Sequence, residues 1–71
     1  MNQYELANMY VDYVEQLYAA AVHHKKTCNE SNCGVSLYTL KRMAMEFYNK
    51  IPSDHSDYKT IHKIMMEWPL V

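Results

Sequence analysis

Apolar residues recur at steps of three and four along most of this chain, a period that predicts helices rather than strands. The first segment carries two such stripes: Leu6, Tyr10, Tyr13, Leu17 and Ala20 on one line, and Ala7, Val11, Val14, Tyr18 and Ala21 on the other. Asn8, Asp12, Glu15 and Gln16 leave only a narrow polar strip. A helix apolar over most of its circumference needs neighbours on two sides. The segment is therefore expected to be wedged between this chain's other helices or shared with another chain. Asn2 stands as N-cap with Glu5 three residues on, and the helix is expected to reach about Lys26. There His23, His24, Lys25 and Lys26 suit the negative end of the helix dipole.

A second helix is expected after Ser36, a good N-cap, running to about Ile51 before Pro52 stops it. Leu37, Leu40, Ala44, Phe47 and Ile51 form its core stripe with Met43 beside it, and Arg42, Glu46 and Lys50 form an exposed i,i+4 ladder. The polar connector "PSDHSD" follows, and Ser56 or Asp57 can start a third helix. Ile61, Ile64, Met65 and Trp68 give that helix an apolar side before Pro69. Trp68 is expected to close the base of the core, because an indole buries a large apolar area.

With a single glycine and two prolines, the chain lacks the punctuation that many short strands require. The prediction is an all-α fold: one domain over residues 1–71, a compact three-helix bundle with a long N-terminal helix, a polar loop, a second helix and a short C-terminal helix. At 71 residues it buries only about 60 % of the surface its unfolded chain exposes, so stability should be marginal. No 18-residue apolar run and no signal-peptide pattern are present, which points to a cytoplasmic protein without membrane contact. Two cysteines in that setting are not expected to support the fold as a disulfide. The net charge of −1 argues against a large phosphate-binding footprint. Its distribution is uneven, however: residues 1–22 hold Glu5, Asp12 and Glu15 with no Lys or Arg, and all seven basic residues lie between Lys25 and Lys63.

Three readings compete for "HHKKTCNESNCGVSLYTLKR", residues 23–42. The first is a metal site, because His24, Cys28 and Cys33 are ligand types suited to a tetrahedral zinc. Their spacing resembles part of the His-Cys-Cys-Cys pattern of TAZ-type zinc domains, with Tyr38 standing where the next cysteine would come. In an antiparallel bundle His55 would lie roughly 20 Å from Cys33 and His62 about halfway, which leaves His23, Glu30, water or a second subunit as fourth ligand. The second is DNA binding. "CGVSLYTLKRM" looks like the turn and recognition helix of a helix-turn-helix, with Cys33, Val35, Leu40 and Met43 buried, and Ser36, Tyr38, Thr39, Lys41 and Arg42 meeting DNA. The preceding "KTCNESN" fits that motif poorly, since it would bury the charge of Glu30. The third and most economical reading is the bend of a helical hairpin, with Gly34 taking a positive φ and Ser36 capping the next helix.

No Gly-rich phosphate loop, G-x-S-x-G elbow or HExxH pair occurs, and a pairing of Cys28 or Cys33 with His23 or His24 lacks an orienting third group, so no enzyme is expected. Seven tyrosines and six methionines, residue types enriched at interfaces, favour binding instead. Tyr4, Tyr10, Tyr13 and Tyr18 are the candidate partner-binding residues. The expectation is a non-enzymatic interaction module, an adaptor or inhibitor binding a protein partner, working as a homodimer and needing no cofactor. In size and simplicity it resembles phage- or mobile-element-encoded regulators, including host-defence inhibitors of the anti-CRISPR type, whose setting is the host cytoplasm. A helix-turn-helix regulator binding nucleic acid and a zinc-stapled helical module are the alternatives.

Overall fold

Helix α1 spans Gln3–Thr27, α2 Cys33–Tyr48 and α3 Tyr58–Met66 in a computed structural model that describes residues 3–29, 31 and 33–70. The expected cap Asn2, and Glu30 and Asn32 of the loop, lie outside the described residues. The chain folds as an all-α three-helix bundle, and the contacts at its two ends give the direction of each helix. Tyr10 and Tyr13 meet Phe47, late in α2, with ring centroids 5.8 and 5.1 Å apart, while Cys28 and Cys33 join at the opposite end. Helices α1 and α2 are therefore antiparallel. The third helix returns alongside α1: His55, just before it, reaches Asn8, and Trp68, just after it, packs edge-on against Tyr18 at 5.6 Å.

Of the two apolar stripes on α1, one makes the core. Ala7, Val11, Val14 and Ala21 are buried and Tyr18 is half-buried, at the alternating steps of four and three that give a straight seam between packed helices. Alanines on this seam and Ala44 on α2 let the two backbones approach closely. Leu37, Ile61 and Val14 fill the centre, and burial of each such side chain contributes about 1.5–3 kcal/mol. Trp68 is buried as expected, and its indole Nε1–H donates to the Leu37 carbonyl at 3.3 Å. The molecule measures 42 × 20 × 15 Å and exposes 5014 Å². A compact chain of this size would expose about 4600 Å², so the core is thin.

One polar side chain is built into this core. The backbone N–H of Asp57 donates to His55 Nδ1 at 3.1 Å, and an N–H can only donate. The hydrogen of the neutral ring therefore sits on Nε2, which donates to Asn8 Oδ1 at 2.7 Å. This bridge pins the polar connector to α1. The connector itself is a run of turns, with His55 N–H donating to the Pro52 carbonyl and Tyr58 N–H to the His55 carbonyl, both at 3.0 Å.

Several expectations about the central segment are corrected. Helix α2 begins at Cys33, not after Ser36, because Cys33 extends the seam of Leu37, Leu40 and Ala44 by one more turn and is itself buried. Gly34 and Ser36 consequently lie inside the helix, and among the described residues no glycine has a positive φ. The helix-turn-helix geometry fails for the same reason: the segment proposed as its turn is helical, Thr27 ends a 25-residue helix, and Val35, an expected anchor, is 69 % exposed. Met43, another expected buried position, is also exposed. The hairpin bend is what forms. Helix α2 ends at Tyr48, after which Lys50 and Ile51 N–H groups bond back three residues to Phe47 and Tyr48, both at 3.0 Å, in a tight turn that still buries Ile51. Finally, Cys28 and Cys33 are joined in a disulfide, contrary to expectation, because the short loop leaves their Cα atoms 6.2 Å apart.

Candidate functional site

The other α1 stripe is only partly covered and meets α2 in a groove. Leu6, Tyr10, Tyr13 and Leu17 fall on the side of α1 next to Phe47, and Tyr13, Gln16, Leu17, Met43 and Phe47 line a hollow of about 360 Å³. Its walls are mostly carbon. Met43 and Tyr13 remain 46 % and 37 % exposed, and Leu6 and Met9 continue the apolar strip toward the N-terminus at helical spacing. Each rim carries a charge. Asp12 Oδ2 accepts from Gln16 Nε2 at 2.9 Å on the α1 side, and Lys50 Nζ stands 5.6 Å over the Tyr10 ring on the α2 side.

The four candidate tyrosines do not share one surface. Tyr13 lines the groove, whereas Tyr10 stacks on Phe47 and Tyr18 packs on Trp68, both half-buried within this chain. Tyr4 faces the connector before α3, where its hydroxyl donates to Asp54 at 3.4 Å. The groove residues that sequence reasoning missed are Gln16, Leu17, Met43 and Phe47. Met43 sits one step off the α2 core stripe, which is the signal that could have found it.

The residues assigned to DNA contact occupy the outer side of α2. Tyr38, Lys41 and Arg42, with Met45, line a second hollow of about 280 Å³, and Met66 nearby is 75 % exposed. Thr39 points its hydroxyl back to the Val35 carbonyl at 2.9 Å, and Ser36 is half-buried. These positions lie along a helix face, without the preceding short helix that would seat it in a groove of DNA.

His24, Cys28 and Cys33 do come together. The backbone N–H of Cys28 donates to the His24 carbonyl at 2.8 Å, which continues the helical turn and sets the histidine over the cysteine. A ring nitrogen of His24 and the two sulfurs lie within 4.8 Å of one another. The other histidines weighed as a fourth ligand are held elsewhere: His55 by Asn8, and His62 by the Tyr48 hydroxyl at 2.6 Å, while His23 is exposed on the helix end.

The Tyr48 hydroxyl donates its one hydrogen to the Tyr58 oxygen at 3.0 Å and so accepts from His62, and three rings meet where α2 turns toward α3. Desolvation, then the hydrogen bond and charge of Tyr58, push the Tyr48 phenol up from 10.0 to about 12. An unfolded chain gives up this proton near pH 10, while the folded one keeps it until about pH 12. The folded state binds more protons in that window, so this contribution to stability is fully present below pH 10 and declines from there through about pH 12. Alkaline titration of phenolate absorbance should show one tyrosine ionising late, and Tyr48→Phe should remove that fraction. A variant with an unchanged titration would contradict the assignment.

No helix among the described residues is long and apolar enough to cross a membrane. Compared with protein-family models, curated proteins and solved structures, the chain matches none significantly.

Proposed function

We propose that the protein is a non-enzymatic interaction module of the adaptor or inhibitor type, acting as a homodimer whose subunits meet through the groove between α1 and α2. The observation that carries this reading is the apolar hollow lined by Tyr13, Leu17, Met43 and Phe47, which sits where the two longest helices pack and is left uncovered by α3. The rims favour a second copy. A two-fold axis through the groove brings the Asp12 rim of one subunit toward the Lys50 rim of the other, and a net charge of −1 leaves little repulsion between copies. Met43 and Tyr13 supply a conformable thioether and an aromatic ring with a polar tip, the chemistry favoured at the centre of such contacts.

Sedimentation over a range of concentrations tests the proposal. The native chain should sediment as a dimer, and Met43→Lys, a change at an exposed position, should raise the dissociation constant at least about tenfold, equivalent to about 1.4 kcal/mol. Its helical circular dichroism should stay unchanged. A native chain that remains monomeric at every concentration, or a Met43→Lys variant that dimerises normally, would exclude this interface.

A further inference from the structure

We propose that His24, Cys28 and Cys33 form a site for a thiophilic closed-shell cation when the two cysteines are reduced, so that the bend of the hairpin is stapled in two mutually exclusive ways, by a disulfide or by a metal. Two independent observations lead here. The first is the cluster itself: three soft or borderline ligand atoms within 4.8 Å, drawn from the last turn of α1, the loop and the first residue of α2. The second is an orphan: Nε2 of His24 is buried and has no hydrogen-bond partner among the described residues. A buried polar nitrogen without a partner costs free energy, and native proteins rarely leave one without a reason. A ring nitrogen of the same imidazole lies within 4.8 Å of the two sulfurs, and a cation held there gives this histidine a partner.

The geometry suits that occupant. Ligands around a tetrahedral zinc sit about 3.5–3.8 Å apart, given metal–sulfur and metal–nitrogen bonds of about 2.3 and 2.0 Å. Opening the disulfide to that spacing requires a shift of about 2 Å at the sulfurs, and rotation about the side-chain bonds of Cys28, in the partly exposed loop, can supply it. Three protein ligands are complete for a trigonal Cu(I). With the three ligands found among the described residues, a Zn(II) ion keeps one position open. Neither His55 nor His62 can fill that position, because each is already held by a partner elsewhere.

The interconversion balances as follows. An external dithiol gives two electrons and two protons to the Cys28–Cys33 bond; the S–S bond breaks, two thiols form, and the dithiol becomes a disulfide. When the cation binds, both thiols release their protons as sulfur–metal bonds form, and neutral His24 contributes a nitrogen lone pair. Each state ties the end of α1 to the start of α2. Only the metal state gives the His24 imidazole a ligand role.

The test takes the full-length chain, reduced anaerobically with a phosphine and stripped of metal, and titrates it with Co²⁺ as a spectroscopic probe. One equivalent per chain should give thiolate-to-cobalt charge-transfer absorption, which Zn²⁺ should bleach. A parallel titration with Cu(I) against a competing chelator identifies which of the two cations the site prefers, and stoichiometric uptake of either supports it. The oxidised chain should bind neither, and Cys28→Ser should abolish the band. His24→Ala, at a partly exposed position, should keep its helical signal and lose at least about tenfold in affinity. No stoichiometric uptake by the reduced chain would overturn the proposal. So would equal affinity in folded His24→Ala, because the thiols would then be acting as a simple dithiol chelator without the histidine.

Discussion

Trp68→Ala should lower stability by about 3–5 kcal/mol, the range for removing a buried aromatic side chain. A domain of this size holds only about 4–10 kcal/mol in total, so the substitution should remove a large share of the stability. The reason is position as much as size. The indole is buried just after the end of α3, packs edge-on to Tyr18 of α1 and donates to the Leu37 carbonyl of α2, so it ties the end of the third helix to both of the others. The expected drop in melting temperature is at least about 12 °C, taking about 4 °C per kcal/mol as the lower bound for a chain of this length. Trp68→Phe, which keeps a ring but loses the N–H, should recover most of it. Met66→Ala, at an exposed position two residues earlier, should stay within about 0.5 kcal/mol of the native chain. Urea unfolding of the three variants checks the ordering; equal stabilities would mean that the end of α3 contributes nothing to the core.

Breaking the Cys28–Cys33 link in the absence of metal should cost about 2 kcal/mol. Five residues of sequence separation enclose a small loop, and the chain-entropy relation gives that figure for its closure. The corresponding fall in melting temperature is about 8–16 °C. Thermal unfolding with and without a phosphine reductant, in the presence of a chelator, measures it directly, and Cys28→Ser should melt at the lower temperature whether or not reductant is present. If reduction leaves the melting temperature unmoved, packing of Cys33 and Leu37 against α1 already sets the bend and the covalent bond adds nothing. The size of the effect matters because the core is thin. Small domains commonly lean on a covalent or metal staple, and here the staple lies at the end of the bundle opposite the His55 bridge.

Much of the fold is legible in the residue order. The three-and-four spacing of Ala7, Val11, Val14, Tyr18 and Ala21, of Leu37, Leu40, Ala44 and Phe47, and of Ile61, Met65 and Trp68 is a local property of the chain. It determines the number of helices, the buried side of each and the role of Trp68, because a helix carries its period with it whatever it packs against. What it cannot contain is the distance between residues on different helices. Whether the Leu6–Tyr13 stripe was covered depended on where α2 crossed α1, and Phe47 covers Tyr10 while leaving Tyr13 half-open. The separation of the four tyrosines onto different surfaces follows from that crossing.

The central segment shows the same division. Gly34 and Ser36 carry strong local preferences for a turn and a cap, and those preferences place the start of α2 four residues too late. Burying Cys33 on the seam above Leu37 outweighs them, since one more buried turn is worth more than the roughly 1 kcal/mol of a cap. The ligand types of His24, Cys28 and Cys33 were visible in the sequence, but their convergence within 4.8 Å, the bond between the two sulfurs and the orphaned Nε2 of His24 were decided by the antiparallel packing of α1 and α2. Periodicity along one helix is written into the chain; proximity between two helices exists only once the seams have closed on each other.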